Sequence, residues 1–299
     1  MKLKGLRGIL YRILERCAPI IPDIMYLHMK YFLRMGKVLR LKNPQTFNEK
    51  LQWLKQYGRR PIDTVFTDKY AAKELVSSII GSQYIIPTLG VWNSFDEIDF
   101  SSLPNQFVLK CTHDSGGVVV CTDKSTLDFA QARAILDRGM KRNFYVYSRE
   151  KVYKDIPRKI IAETYMEDSE TGELRDYKFL CFHGIPKILF IVTDRKSKES
   201  ETKYDFFDMD FNHLPFTNGD PCSDILPSRP INFDEMKTLA AKLSKDIPHV
   251  RIDFYEVNGK IYFGEMTYSH AGGMDPFNPE SWDYLLGSWI NLPEKYVKN

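Results

Sequence analysis

His249-Val-Arg-Ile-Asp-Phe-Tyr-Glu-Val-Asn-Gly-Lys-Ile-Tyr-Phe-Gly-Glu-Met-Thr267 consists of two runs of alternating apolar and polar residues joined by Asn258-Gly259. A period of two is the mark of a half-buried strand, and Asn-Gly between two such runs is a hairpin turn, so the stretch predicts a β-hairpin. It carries Arg251, Asp253 and Glu265. Two carboxylates on adjacent strands offer hard oxygen ligands to Mg²⁺, which keeps waters or phosphate oxygens as its other ligands, so a nucleoside triphosphate is the expected companion. Register decides whether the two carboxylates meet, because a slip of one residue moves a side chain to the other face of the sheet. A two-residue Asn258-Gly259 turn sets Ile252 opposite Glu265 and sends Asp253 and Glu265 to different faces. A three-residue Val257-Asn258-Gly259 loop, with Gly259 in the left-handed bulge position, pairs Asp253 with Phe263 and places it on the face of Glu265. The second arrangement is expected; the bland alternative is an acidic pair on a solvent-facing side.

The 299 residues suffice for one large domain or two to three lobes, and 43% apolar with 27% charged residues is the balance of a soluble globular protein. Five scattered cysteines without a Cys-x-x-Cys spacing argue against a disulfide framework or redox site and for a cytoplasmic setting. The six histidines show no zinc spacing, and no Gly-x-Ser-x-Gly elbow is present. No apolar run reaches the roughly 18 residues of a membrane-spanning helix. Lys2, Lys4, Arg7, Arg12 and Arg16 interrupt the N-terminus too often for a secretory signal.

The net charge of +3 conceals an asymmetry, since residues 1–60 hold 14 Lys/Arg against 3 Asp/Glu. Leu3, Leu6, Ile9, Leu10, Ile13, Leu14 and Cys17 fall on one helical face, with most basic residues elsewhere around it. Such a helix could make peripheral contact with the inner membrane surface through residues 1–16, or pack on the body and keep a solvated basic side. Nucleic acid is not an expected partner, for the basic region has no reader motif and the remainder is acidic.

Residues 1–60 read as a basic helical N-terminal region, with Thr46-Phe-Asn-Glu49 as a capping box. A second helix is expected from a cap at Thr67 to a stop at Gly81, and a third over Leu127 to Asn143 capped by Ser125 or Thr126. Strands are expected at Gln106–Thr112, Gly117–Thr122, Lys159–Met166, Asp176–His183 and Lys187–Thr193, with a polar turn between Glu167 and Arg175 and a helix over Phe233–Lys245. The fold class is α+β. Residues 61–299 form the main region, with 105–166 as a small lobe around a glycine loop and 167–299 as a C-terminal metal-binding lobe.

Lys110-Cys-Thr-His-Asp-Ser-Gly-Gly117 sets a lysine at a strand end and two glycines beyond it, where bare backbone can approach phosphate oxygens; the same residues also suit an ordinary hairpin turn. It is neither a P-loop nor a dinucleotide fingerprint. In chain order, Asp68-Lys69, Lys110 with its loop, Ile160-Ile-Ala-Glu163-Thr-Tyr-Met166, Asp176-Tyr-Lys178, Arg251-x-Asp253 and Glu265-x-Thr267 resemble the ATP-grasp superfamily. Asn43-Pro-Gln-Thr-Phe-Asn-Glu-Lys-Leu-Gln-Trp53, Asp176-Tyr-Lys-Phe-Leu-Cys-Phe-His-Gly184 and Phe263-Gly-Glu-Met-Thr267 narrow the resemblance to the TupA-like ATP-grasp proteins of bacterial surface-polysaccharide and teichuronopeptide pathways, over most of the chain from about residue 40.

The resemblance implies an ATP-grasp fold with ATP and Mg²⁺ held between two α+β lobes. Lys69 and Lys110 are then expected on the phosphates under the Ser115-Gly116-Gly117 loop, Glu163 and the backbone near Met166 at adenine, and Asp176 on the ribose. Lys178 shares the strand face of Asp176, either toward phosphate or as a structural lysine. Asp253 and Glu265 match the magnesium carboxylates, and Arg251 sits where an acyl phosphate is steadied. The family often has Asn where this chain has Thr267, whose hydroxyl remains a neutral oxygen ligand. The glycines of His270-Ala-Gly-Gly273 could offer amides to a carboxylate, or form a plain loop.

The implied activity is an ATP-dependent carboxylate-amine ligase, joining a small-molecule or glycan carboxylate to an amine. The rivals are a glycosyltransferase using a nucleotide sugar, with Asp208-Met-Asp210 on its metal, and a non-catalytic nucleotide-binding component of glycan machinery. Asp208-Met-Asp210 also reads as a turn within Tyr204–Leu214.

Overall fold

The computed structural model describes residues 5–169, 172, 174–193 and 202–295. Of the N-terminal helix residues named above, Lys2, Leu3 and Lys4 lie outside the described residues, as do Glu170, Thr171 and Glu173 of the polar turn. The chain begins with α1 (Gly5–Cys17), α2 (Asp23–Met35), α3 (Phe47–Tyr57), α4 (Pro61–Thr67) and α5 (Ala71–Ile80). The small sheet contains β1 (Thr88–Trp92), β2 (Phe107–Cys111), β3 (Val118–Cys121) and β4 (Ile160–Thr164), in the order β1-β4-β2-β3, with α6 (Phe129–Lys141) on one side and α7 (Phe144–Ser148) following. The large sheet takes β5 (Asp176–Phe182), β6 (Ile185–Thr193), β7 (Lys203–Phe207), β9 (Val250–Val257) and β10 (Lys260–Thr267), in the order β10-β9-β5-β6-β7. A short ladder joins β8 (Thr217–Asn218) to β11 (Phe277–Asn278), and α8 (Phe233–Leu243) and α9 (Ser281–Ser288) complete the described elements. No described helix is long and apolar enough to cross a membrane.

Two layers cover the large sheet, one on each face. Phe179, Ile252, Phe254, Phe263 and Met266 pack under α5 and α8, through Val76, Ile80, Phe233, Met236 and Leu239. The opposite face buries Leu180, Phe182, Ile188 and Phe190 beneath Phe47, Leu51 and Leu54 of α3 and Leu286 of α9. Helix α3 is thus built into the body rather than standing apart. Its capping box is present as expected: Thr46 Oγ1 accepts from Glu49 N at 3.2 Å, and the Glu49 carboxylate accepts from Thr46 N at 3.3 Å.

Two expected caps belong to other residues. Thr67 ends α4, its hydroxyl turned back to Asp63 O at 2.7 Å, and Asp68 instead receives Tyr70 N and Ala71 N at the start of α5. The cap of α6 is Asp128, which accepts from Gln131 N, whereas Ser125 and Thr126 lie in a preceding single turn. An ionised carboxylate is the better acceptor for orphan amides and suits the positive end of the helix. Gly81 ends α5 with φ 109°, a conformation that favours glycine.

The hairpin corrects the sequence reading at its loop. Val257 pairs with Lys260, so the connection is the two-residue Asn258-Gly259 turn, with φ 50° and 72°. The extra residue lies within β10: Phe263 pairs with Phe254, Glu265 pairs with Asp253, and Gly264 bulges between them. Phe263 therefore faces the core, not Asp253, and Glu265 is shifted to the other face. The two carboxylates share a face as expected, by a different route.

Candidate active site

Strand alternation assembles the charged cluster. Along β5 one face presents Asp176, Lys178, Leu180 and Phe182; its apolar half lies under α3 and its charged half meets Arg251 and Asp253 of β9. Lys178 pairs with Asp253 in register and its Nζ bonds the carboxylates of both Asp253 and Asp176, the latter at 3.1 Å. Arg251 Nε and Nη2 donate to Asp253 at 2.6 and 2.7 Å, and Nη2 also reaches Glu265 at 2.8 Å. Thr267, opposite Arg251, donates its hydroxyl to Glu265 at 3.1 Å.

Asp253 is buried, whereas the Glu265 side chain stays 44% exposed and opens into the cavities described below. Enclosure works against the charge of Glu265, but Arg251, Lys69 and Lys178 outweigh it and hold the carboxyl down at about 2. Burial likewise opposes the Arg251 guanidinium, which Asp253 and Glu265 nevertheless keep firmly protonated. The oxygens gathered here are all hard: Glu265 with the Thr267 hydroxyl beside it, and Asp253 opposite, whose two oxygens are held by Arg251 and Lys178 and must be released in part to take a cation. This set fits Mg²⁺ rather than a softer metal.

Above this cluster lies a cavity of about 410 Å³ between the two sheets. Its polar lining includes Lys69, Lys110, Ser115, Glu163, Asp176, Lys178, Asp253 and Glu265. Met166 joins Ile86, Val108, Leu174 and Phe263 in an apolar part suited to a flat base. The sequence reading thus selected residues that the fold brings to one chamber. Glu163, at the edge of β4, is gripped by Lys110 at 2.6 Å and by Lys73 at 2.5 Å. Burial pushes its carboxyl up, but these two lysines more than reverse the effect and its pKa is lowered.

Lys73 was missed. It lies four residues beyond Lys69, in the first turn of α5, lines the same cavity and donates to Ile86 O at 2.6 Å. The spacing of four could have revealed it, since such residues share a helical flank.

The glycine loop differs from expectation in part. Ser115 lines the cavity, and Lys69 Nζ braces the loop at Asp114 O, 2.8 Å away, but Gly116 and Gly117 do not line it. Gly117 is buried, and a Cβ there would meet Cys111 Sγ at 2.5 Å and Gly139 Cα at 3.4 Å. Close packing between strand and helix, rather than approach to a phosphate, explains the second glycine.

A second cavity of similar volume, about 410 Å³, meets the first at Lys69, Ser115 and Glu265. Arg251 and Thr267 line its floor, and Tyr11, Glu15, Lys30 and Arg34 line it from α1 and α2. Lys55 of α3 enters it as a buried ammonium held by Ser148 O at 3.3 Å and Gly272 O at 2.6 Å, and burial pushes its pKa down to about 8. Ala271 and Gly272 line the wall, but the Gly272 amide is already used by Ser269 O. His270 is buried and bonded to Asn218 at 2.9 Å, outside both cavities.

Asp208 and Asp210 belong to neither cavity. Asp208 receives Asp210 N, Asn212 N and Asn212 Nδ2 at 2.9, 2.8 and 3.0 Å, which is a turn with its acceptors used. Asp205, His213 and Cys222 approach one another within 4.8 Å, yet both Asp205 oxygens already accept from Ser223.

Among solved structures, the D-alanine--D-alanine ligase of Bacillus anthracis complexed with ATP matches with TM-score 0.40 and 11% identity over 68% of this chain and 54% of its own. The D-alanine-D-alanine ligase of Helicobacter pylori matches with TM-score 0.45 and 12% identity, over 83% and 68%. The ATP-grasp ligase PsnB, complexed with minimal precursor, Mg and ADP, gives 0.41 and 11%, over 74% and 57%. The chain thus spans little more than half the length of two of these three structures. No curated protein matches it by sequence. The TupA-like ATP-grasp family model matches residues 49–291, from within α3 to the segment after α9, and the chain belongs to that family.

Proposed function

We propose that the protein is an ATP-dependent carboxylate-amine ligase that works through an acyl phosphate, in assembly or decoration of a bacterial surface polysaccharide or teichuronopeptide. The observation that carries this reading is the junction of the two cavities at Lys69, Ser115 and Glu265. A chamber with an apolar slot, lysines and a carboxylate pair suits ATP, and the adjoining polar chamber suits an acceptor. The reacting phosphoryl group then sits where the chambers meet.

In the first step a carboxylate oxygen attacks the γ-phosphorus, the bond to the β-phosphate oxygen breaks, and ADP leaves. In the second, an amine attacks the acyl carbon, phosphate leaves and the amine loses a proton, giving an amide. Lys69 and Lys110 would offset phosphate charge, and Arg251, on the floor of the acceptor chamber, would orient the acyl phosphate. Mg²⁺, held by Asp253 and Glu265 with Thr267 oriented on Glu265, would supply charge neutralisation at the phosphates. ATP entry requires Lys110 to turn from Glu163 toward phosphate, leaving Lys73 to hold that carboxylate. Residues 105–166 and 167–299 act in this scheme as the two lobes around ATP.

The test is release of ADP and phosphate only when carboxylate and amine are both supplied, with hydroxylamine trapping the acyl phosphate as a hydroxamate. A nucleoside diphosphate released from a sugar nucleotide would instead establish the transferase.

A further inference from the structure

Helices α1 and α2 pack on one another, with Arg7 Nη2 donating to Phe32 O at 3.2 Å and Lys30 Nζ reaching Glu15 at 3.5 Å. Their inward sides bury Leu14, Tyr26 and Leu33 against Val146 and Tyr147, and Leu27 and Tyr31 against Met274. Of the described residues on the expected apolar face of α1, Leu14 is buried and Cys17 half-buried, and the others do not pack. Leu6, Ile9, Leu10 and Ile13 are exposed, Leu6 by 72%, and the exposed apolar surface continues through Ile20 (83%) in the connection to Ile24, Met25 and Phe32 (55%) of α2. Nine large apolar side chains left in water on one helix pair, counting Met29, exceed what scattered surface residues explain.

The charges that this helix pair itself carries are mostly basic. Residues 1–40 hold nine basic residues and two acidic ones, and both acidic side chains are engaged: Glu15 with Lys30, and Asp23 with Arg149 at 3.0 Å. Neither is an exposed residue, whereas Arg12 and Arg16 are, on the helical flank beside the apolar stripe at 100° per residue. An apolar stripe flanked by the exposed Arg12 and Arg16, with Arg34 and Lys37 further along already paired to Asp275 and Glu280, fits the boundary between acyl chains and anionic headgroups.

We propose that the outer face of the α1–α2 pair docks on an anionic lipid surface. The inner face of the same pair supplies Tyr11, Glu15, Lys30 and Arg34 to the second cavity, so docking sets that chamber one helix diameter, about 10 Å, from the lipid. Deleting α1 would damage that chamber, so point substitutions on the outer face are the cleaner probe.

The full chain is sedimented with vesicles of phosphatidylcholine containing or lacking phosphatidylglycerol, at low and high salt. Salt-sensitive binding to the anionic vesicles is expected. Arg12→Gln with Arg16→Gln should lower it about thirtyfold, the equivalent of about 1 kcal/mol per charge. Ile13→Glu with Phe32→Glu should abolish it, while the ATP-induced thermal shift of each variant stays that of the parent and certifies the fold. No sedimentation at low salt overturns the proposal. So does binding that ignores both the headgroup and the substitutions, or a lipid-free dimer that the Ile13→Glu/Phe32→Glu variant dissociates, which would make the face a contact between copies. These readouts involve no turnover, so their failure leaves the ligase reading untouched.

Discussion

Asp253 and Glu265 stand directly opposite one another across β9 and β10 because Gly264 adds one residue to β10 after Phe263. Without that bulge, strict alternation would keep Glu265 on the face of Phe263, inside the core. The pairing of the two carboxylates thus depends on a residue without a side chain.

Gly264→Val should therefore disable the site while sparing the fold. A Cβ at this position would lie 3.1 Å from both Asp253 O and the Tyr255 ring, so the bulge must shift to admit a larger side chain. We expect a stability loss of about 1–3 kcal/mol, typical of overpacking, and loss of the Mg²⁺-dependent part of the ATP thermal shift. An undiminished Mg²⁺ effect would show that the bulge does not set the carboxylate pair.

The two carboxylates should respond differently to neutralisation. Glu265→Gln removes a half-exposed charge and should reduce turnover at least about a hundredfold, with a measurable loss of melting temperature that is smaller than that of Asp253→Asn. Asp253→Asn removes the shared partner of Arg251 and Lys178, so it should also destabilise the fold, by about 3–5 kcal/mol if both cations stay buried and charged. Melting curves and ADP release on both single variants test this ordering, and equal stability of the two would refute it.

Lys110→Ala should weaken ATP binding about ten- to a hundredfold, because a charge-assisted bond to phosphate is lost. Asp208→Ala should change it less than about twofold, since Asp208 only closes a turn. Titration of the ATP thermal shift separates them. The reverse ranking, with a sugar nucleotide as the stabilising ligand, would favour a transferase.

What could be read from the sequence follows from range of interaction. The hairpin, the capping box of α3 and the strands bearing Lys110, Asp176 and Asp253 are set by local pattern, and all lie near their expected positions. The bulge was not read because it trades with loop length: one extra residue in the turn or in β10 gives the carboxylates the same relation. A glycine inside an alternating strand was the available signal. Gly117 misled for the opposite reason, since its contact with Cys111 and Gly139 comes from a helix that meets the strand only in the folded chain. The outward turn of α1's apolar stripe was equally out of reach, as periodicity shows that a stripe exists and not what it faces.

Acid should report on Glu265 specifically. Its folded-state pKa of about 2 lies below its ordinary value of 4.5, so its charge contributes stability that is fully present above about pH 4.5 and lost as pH falls toward 2. The melting-temperature gap between parent and Glu265→Gln should hold steady from pH 7 to 5 and narrow below 4.5. A gap constant down to pH 3 would mean that Arg251 and Lys69 do not hold the carboxylate as the geometry requires.

Lys55→Met should separate the two chambers. Lys55 lines the second cavity but not the first, and its ammonium is buried on carbonyl oxygens of Ser148 and Gly272. Burial already lowers its pKa to about 8, so the charge is carried at a cost that an anion entering the chamber would offset. The methionine keeps the length of the side chain and removes the charge. The ATP thermal shift should therefore persist, while the carboxylate concentration needed for half-maximal ADP release rises about tenfold or more, the worth of one charge-assisted contact. Equal losses in ATP binding and carboxylate use would mean that Lys55 only supports the Gly272 loop, and that the acceptor lies elsewhere.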